Sequence, residues 1–218
     1  MKGLIIKDLK LLKVQRLFLI VMAGVSLLLL VKGNSQGFVF SYLSAMLSML
    51  VISTISYDEE NNGMGFLMTL PASRKTYVME KYLLGILMLA AVFIYGTAAS
   101  AVIAAVQQLD FEMAEWGSVL AASMLTSAMI QSVTIPVQLK YGSSGSRVAL
   151  IAVFVCIVGV SYGIQQIMKA ADVDLEAAGN VLQMLSPQAV VAGICVLAVL
   201  LMGISYAVSA AVMKRKQF

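Results

Sequence analysis

Long uncharged apolar stretches constrain this chain more than any other feature. An α-helix needs about 20 apolar residues to cross a hydrocarbon core about 30 Å thick, and six segments approach or meet that length. They predict membrane spans at 17–31, 38–57, 82–106, 116–139, 148–168 and 187–213. Of the 218 residues, 61% are hydrophobic and 12% are charged, so a soluble core of this size would leave much apolar surface uncovered. We therefore expect an all-α polytopic membrane protein that forms a single transmembrane domain.

The basic residues fall almost entirely on one side of the predicted membrane. Of the 15 lysines and arginines, only Lys32 and Lys169 lie on the other side. Loops rich in Lys and Arg stay in the cytoplasm. Both termini are therefore predicted to be cytoplasmic, with a cytoplasmic loop at 58–81 and an outer loop at 169–186. Pro136, near the end of the fourth span, is expected to kink or terminate that helix.

Residues 1–16 have the pattern of a basic amphipathic helix, in which Leu4, Ile5, Leu9 and Leu12 follow helical spacing. Such a helix lies in the plane of the membrane interface with its cations toward anionic headgroups. The simpler interpretation is a basic anchor that only fixes orientation, and both can hold. The predicted lipid anchors are Lys2, Lys7, Lys10, Lys13 and Arg16.

No predicted span holds Asp, Glu, Lys, Arg or His in its interior. Ion-driven transporters and intramembrane enzymes need such groups at membrane depth, so neither class is expected. Uncharged polar residues do share a helical face in the second and fourth spans. They either line a translocation path or hydrogen-bond between helices, and we favour the second because such bonds are common in helix bundles. The candidates for a translocation path are Ser44, Ser48, Ser127, Gln131, Thr134 and Gln138.

The loop at 58–81 holds a short apolar cluster between charged ends. Acidic residues open it and suit a helix amino terminus. Pro71 should end the apolar element, and Ser73 is the expected N-cap of a helix that runs into the third span. An exposed apolar cluster ringed by charge is a docking surface for a soluble partner, or else a patch on the membrane or on the protein's own helices. Composition does not choose between the two.

Several kinds of chemistry lack their usual residues. The chain has no histidine, which removes the commonest general base and metal ligand. No Gly-Lys pair occurs, so the phosphate loop G-x-x-x-x-G-K-[ST] is missing. We expect no metal site, no cofactor, no nucleic-acid partner and no enzymatic activity in this chain. If ATP is used, a separate chain binds it with Mg.

Short motifs in a fixed order carry a resemblance to a known family. They are Met-Lys-Gly-Leu-Ile-Ile-Lys-Asp-Leu-Lys-Leu-Leu at the start, Tyr57-Asp58-Glu59, Gly63, Leu70-Pro71-Ala72-Ser73-Arg74-Lys75 and Lys81-Tyr82. With them the chain resembles the small permease subunits of ATP-binding-cassette type-2 exporters of the bacterial cytoplasmic membrane, over essentially its whole length. The resemblance implies two permease copies, expected to be identical, and two cytoplasmic ATPase subunits.

The resemblance also implies roles for segments. The 58–81 loop would carry a short cytoplasmic coupling helix that sits in a groove on the ATPase, and 171–187 would form re-entrant helices at the outer face. The implied cargo is hydrophobic or amphipathic, with peptides as the favoured class. The alternative is a membrane scaffold or sensor subunit that transports nothing. The implied coupling residues are Glu59, Glu60, Gly63, Met64, Phe66, Leu67, Leu70 and Pro71.

Overall fold

The computed structural model describes residues 2–33, 35–60, 63–69, 73–107, 116–170 and 187–216. Within these ranges the chain is helical and has no strand, as an all-α membrane protein requires. The helices are α1 (Lys2–Val14), α2 (Arg16–Val31), α3 (Gln36–Glu59), α4 (Gly63–Thr69), α5 (Arg74–Gln107), α6 (Trp116–Ala170) and α7 (Pro187–Arg215).

Among the described residues, four helices are long and apolar enough to cross a membrane. Their crossing segments are Gln36–Glu59, Arg74–Val106, Trp116–Gly142 and Gln188–Arg215. The pair α1 and α2 makes a fifth candidate if it is counted as one span bent by 69°. The predicted fifth span, 148–168, has a helical backbone in the later part of α6, and the six-span count stays a prediction. The predicted re-entrant segment lies outside the described residues, apart from Pro187, which begins α7.

The bend between α1 and α2 separates the basic helix from the first predicted span. Leu4, Asp8 and Leu12 are one turn apart along α1, and all three are buried. Ile6 and Leu9 are exposed instead. The protein-facing side of α1 therefore contains a carboxylate, whereas the sequence pattern placed only leucine and isoleucine on its apolar face.

Pro136 does not terminate the fourth span, because α6 continues through it. A proline at this position has no N–H to donate to the carbonyl of Ser132. The hydroxyl of Ser205 on α7 donates to that carbonyl instead, at 2.8 Å. The break in α6 comes at Gly142, whose φ of 77° lies in the left-handed region that glycine tolerates. The neighbouring helix thus compensates for the proline.

Ser73 is the N-cap of α5, as predicted: its Oγ accepts a hydrogen bond from the Thr76 N–H at 3.1 Å. This fixes where the loop ends and the long helix begins. At the other end of the same loop, α3 runs to Glu59. The short helix α4 lies between these two ends.

Two apolar clusters form the core. The larger joins α1, α3, α4, α5, α6 and α7 and includes Ile55, Tyr77 and Met213. The smaller packs α2, α3, α5 and α6 around Phe40. Close approach is possible there because Gly96 has no side chain: a Cβ would lie 2.4 Å from the Phe40 ring. The larger cluster borders the short helix α4 and positions the charged residues described next.

Candidate functional site

Five charged side chains from three helices meet where α3 ends and α5 begins. We call Lys7, Asp8, Asp58, Glu80 and Lys81 the ion cluster. Lys7 pairs with Asp58 and, at 3.0 Å, with Asp8. Lys81 pairs with Asp8 and, at 3.0 Å, with Asp58, and its Nζ lies 3.6 Å from Glu80. Each of the two ammonium groups therefore bridges Asp8 of α1 and Asp58 of α3.

Four of the five members of the ion cluster are buried, whereas the side chain of Lys7 is 29% exposed, and hydroxyl groups support the cluster. Asp8, Glu80 and Lys81 have no exposed surface, and Asp58 is 5% exposed. Lys81 donates to Thr54 Oγ1 at 3.1 Å, and the hydroxyl of Tyr77 donates to Asp58 Oδ2 at 3.0 Å. Desolvation by burial raises the pKa of Asp8, but the ammonium groups of Lys81 and Lys7 outweigh it, so its net pKa lies below the ordinary value. Asp8 is thus held as a carboxylate.

Asp58, near the end of α3, also lies next to the start of α4. Gly63, the first residue of α4, approaches α3 so closely that a Cβ there would lie 3.0 Å from the carbonyl oxygen of Asp58. The main chain of Asp58 therefore lies beside α4, while its side chain contacts Lys7 of α1 and Lys81 of α5.

The apolar residues predicted for coupling divide between two faces of α4. Met64 is 4% exposed and belongs to the larger core cluster, and Leu67 packs against that cluster. Phe66 is 68% exposed. One face of α4 thus packs on the protein's own helices, whereas Phe66 on the other face is exposed. The docking interpretation stays a prediction. Leu70 and Pro71 lie outside the described residues.

The two predicted acidic coupling residues end α3. Glu59 pairs with Lys216 at 3.3 Å, which ties the end of α3 to the basic tail. Glu60 is exposed. Of the two, only Glu60 presents its carboxylate fully to solvent.

The polar residues predicted on α3 and α6 meet in the membrane interior. We call Ser44, Ser48, Ser127, Gln131 and Gln138 the polar ladder. The Gln131 amide donates to Ser127 at 2.7 Å and to Ser48 at 3.2 Å, and these two hydroxyls are 3.1 Å apart. Ser44 donates to the carbonyl of Ser123 at 2.8 Å, and the Gln138 amide to Ser56 at 2.8 Å.

These contacts favour the inter-helix interpretation over a translocation path. All five residues of the polar ladder are buried. Thr134, the remaining candidate, donates to the carbonyl of Ile130 within its own helix at 2.6 Å. α5 crosses nearby, because a Cβ at Gly85 would lie 2.0 Å from the side-chain oxygen of Gln131.

The predicted lipid anchors do not all face outward. Lys10, Lys13 and Arg16 are exposed, as a headgroup contact requires. Lys7 instead turns toward Asp8 and Asp58 of the protein. For Lys2 the structure describes the backbone and not the side chain. The lipid role of the exposed three stays a prediction.

Sequence reasoning missed the ion cluster as a site. Its partners are far apart in the chain: Lys81 and Asp8 are separated by 73 residues, and Lys7 and Asp58 by 51. One signal was available, since Asp8 shares a helical face with Leu4 and Leu12. A lone carboxylate on the apolar face of a basic helix requires a buried cation.

A comparison with protein families gives a match over nearly the whole chain. The model described as "ABC-2 family transporter protein" matches residues 3–214, which include α2 to α6 entirely and almost all of α1 and α7. No curated protein matches the sequence.

Proposed function

The chain belongs to the ABC-2 family of transporters, and from this premise we propose that it is the permease subunit of an ATP-driven exporter of hydrophobic or amphipathic cargo. The resemblance seen in the sequence motifs is confirmed at the level of the family. Membership identifies a multi-pass membrane protein and implies a partner ATPase of the ATP-binding-cassette type. Further claims about docking, cargo and assembly are our proposal.

We propose that α4 is the coupling helix on which the ATPase docks. Met64 and Leu67 hold one face of α4 to the core, while Phe66 projects from the other face with 68% of its surface exposed. An aromatic side chain on a helix that is fixed from behind suits a hydrophobic pocket in a partner. Glu60 lies just before α4 and adds a charged rim.

The observation that carries the proposal is the double role of Asp58. Its carbonyl oxygen lies beside the first residue of α4, where a Cβ would be 3.0 Å away, and its carboxylate holds Lys7 of α1 and Lys81 of α5. A force applied to α4 thus has a direct route to two further helices. Coupling needs an element that both the ATPase docking site and the transport path bias, and the ion cluster suits that role because it joins α1, α3 and α5 beside α4.

The cargo class follows from what the spans offer. The predicted spans have no Asp, Glu, Lys, Arg or His in their interiors, and a charged cargo group at that depth needs a partner. The amide nitrogens of Gln131 and Gln138 are already engaged by neighbouring hydroxyls. An apolar or amphipathic molecule suits a path between spans without charged groups, and the family resemblance favours peptides as the cargo.

The proposed complex contains two copies of this chain and a separate ATPase that holds ATP and Mg. The chain has no phosphate loop, so we assign no ATP hydrolysis to it. In the proposed orientation both termini, α4 and the basic tail lie in the cytoplasm. Exposed apolar residues along α7, such as Leu200 and Ile204, would face lipid or the second copy.

Affinity purification of the tagged chain from gently solubilised native membranes tests the docking claim. Mass spectrometry of the wild-type preparation should find a stoichiometric partner with a phosphate-loop sequence. The variant Phe66→Asp should lose that partner, because a carboxylate replaces the apolar anchor. Tyr141→Asp is the matched control, since it puts the same charge at another exposed aromatic side chain, 64% exposed, and should keep the partner.

Two outcomes would contradict the proposal. Equal retention of the ATPase by Phe66→Asp and by the wild type would remove α4 as the docking site. A chain that is purified alone, or only with itself, in several detergents would favour the scaffold or sensor alternative. That alternative also predicts no cargo-dependent ATP turnover in the reconstituted complex.

A further inference from the structure

A cavity with basic residues at its edge lies between α6 and α7, and no residue of the ion cluster lines it. Its volume is about 430 Å³, and Leu139, Val208 and Val212 form part of its wall. Lys140, Arg215 and Lys216 contribute the charged part of the lining. The cavity is therefore apolar along one side and cationic along another.

The positive charge at this cavity is only partly neutralised. Lys216 pairs with Glu59 at 3.3 Å. The ammonium of Lys140 lies 4.8 Å from the centre of the Tyr141 ring, which leaves its charge in place. In the part of the chain that the structure describes, no carboxylate forms an ion pair with Lys140 or Arg215. An anion would find two cations that are not already engaged in ion pairs.

The end of α7 that carries these cations is held in position. The Arg74 guanidinium donates to the carbonyl of Met213 at 3.2 Å and to that of Lys214 at 2.8 Å. These carbonyls belong to the last turn of α7 and have no partner within the helix. The amino terminus of α5 thereby fixes the backbone next to Arg215. The cationic edge is part of the fold and not a free tail.

The position along the helices places the cavity at a membrane surface. Its apolar wall comes from the ends of the spans Trp116–Gly142 and Gln188–Arg215, and the second of these ends in the basic run Lys214, Arg215 and Lys216. Basic residues that follow an apolar span lie at headgroup depth. A pocket with cations at headgroup depth and an apolar wall toward the hydrocarbon suits a lipid with an anionic headgroup.

We propose that this cavity binds one anionic phospholipid, with its phosphodiester between Lys140 and Arg215 and an acyl chain along Val208 and Val212. The site is distinct from the exposed lysines of α1, which do not line this cavity. It requires no particular cargo and no ATPase. Under the predicted orientation the lipid comes from the cytoplasmic leaflet.

Native mass spectrometry of the full chain in neutral maltoside micelles tests the site. Phosphatidylglycerol is titrated against phosphatidylcholine with the same acyl chains, and retained lipid is counted. The double variant Lys140→Gln, Arg215→Gln should weaken phosphatidylglycerol retention about thirtyfold, on the scale of two basic residues near an anionic surface. The double variant Lys75→Gln, Lys214→Gln is the control, because both lysines are exposed, neither lines the cavity, and the change in net charge is the same on the same predicted membrane side.

A second variant tests the apolar wall without changing charge. Ala211 lines the cavity, so Ala211→Phe should fill it and lower phosphatidylglycerol retention. Size-exclusion profiles and circular dichroism check that each variant is folded. The proposal is overturned if the Lys75 and Lys214 control loses as much lipid as the cavity variant, or if phosphatidylcholine is retained equally well. Displacement of the lipid by excess glycerol phosphate would also overturn it, because a headgroup alone would then be enough.

Discussion

The ion cluster and the polar ladder both join helices through buried polar groups, yet they differ in charge, in position and in the helices that they join. The ion cluster is charged, lies where α3 ends and α5 begins, and ties three helices to one another. The polar ladder is neutral, lies within α3 and α6, and joins only those two. Neutral groups can hydrogen-bond at membrane depth at low cost, whereas ions need partners and are favoured near the interface.

The difference indicates which contact is suited to movement. Each hydroxyl and amide nitrogen of the polar ladder contacts the facing helix through a hydrogen bond, so α3 and α6 are joined at several points. In the ion cluster Lys7 and Lys81 both contact Asp8 and Asp58, so a cation that loses one carboxylate still has the other. Variants in the two regions should therefore differ in size of effect and in kind.

The largest loss of stability is expected from Lys81→Met. This change removes the ammonium that contacts Asp8 and Asp58 and leaves buried carboxylates without it, at a cost of about 3–5 kcal/mol. Unfolding in mixed micelles of maltoside and dodecyl sulfate, followed by circular dichroism, measures the loss. Lys75→Met is the control, because Lys75 is an exposed lysine of the same helix. Equal stability of the two variants would mean that the ion cluster does not hold the helices together.

A smaller loss is expected when α5 is pushed off the polar ladder. In Gly85→Ala the new Cβ would lie 2.0 Å from the Gln131 side-chain oxygen, so the amide must move away from Ser48 and Ser127. Overpacking of this kind costs about 1–3 kcal/mol. Gly193→Ala is the matched control, since a Cβ there meets nothing within 4 Å. In the same unfolding assay its stability should equal or slightly exceed that of the wild type.

The smallest loss is expected from Gln131→Leu. The hydroxyls of Ser48 and Ser127 remain 3.1 Å apart and can still bond to each other, and leucine fills similar space. Inter-helix hydrogen bonds in membranes contribute about 0.6 kcal/mol on average, so the variant should unfold close to the wild type. A loss as large as that of Lys81→Met would erase the contrast between the two regions.

Contacts within one helix, or on one helical face, were accessible from the sequence. The spacing of Ser127, Gln131 and Gln138 predicted a shared polar face, and the structure places that face against α3. The sequence predicts Ser73 as an N-cap because the N–H that it caps belongs to Thr76, only three residues further along the chain. Such features depend on helix geometry alone, which a single sequence carries.

Contacts between distant segments were not accessible in the same way. Lys7 has the spacing of an outward-facing lysine, and only the packing of α1 on α3 and α5 turns it toward Asp58. Pro136 was expected to kink or end its helix, but the compensating Ser205 lies on another helix, 73 residues away from the carbonyl that it satisfies. The split of α4 into a packed face and an exposed Phe66 likewise depends on what lies behind it.

ATP turnover by the reconstituted complex of permease and ATPase tests most directly whether Asp58 couples α4 to the other helices. Asp58→Asn is compared with Gly85→Ala. For each variant we check that the ATPase is bound in stoichiometric amount, and we measure how much stability the variant has lost relative to the wild type. We predict that Asp58→Asn keeps the ATPase but lowers turnover about tenfold, the scale of typical coupling free energies, while Gly85→Ala turns over ATP like the wild type. Equal turnover in both variants, whether lost or retained, would contradict the assignment of coupling to the ion cluster.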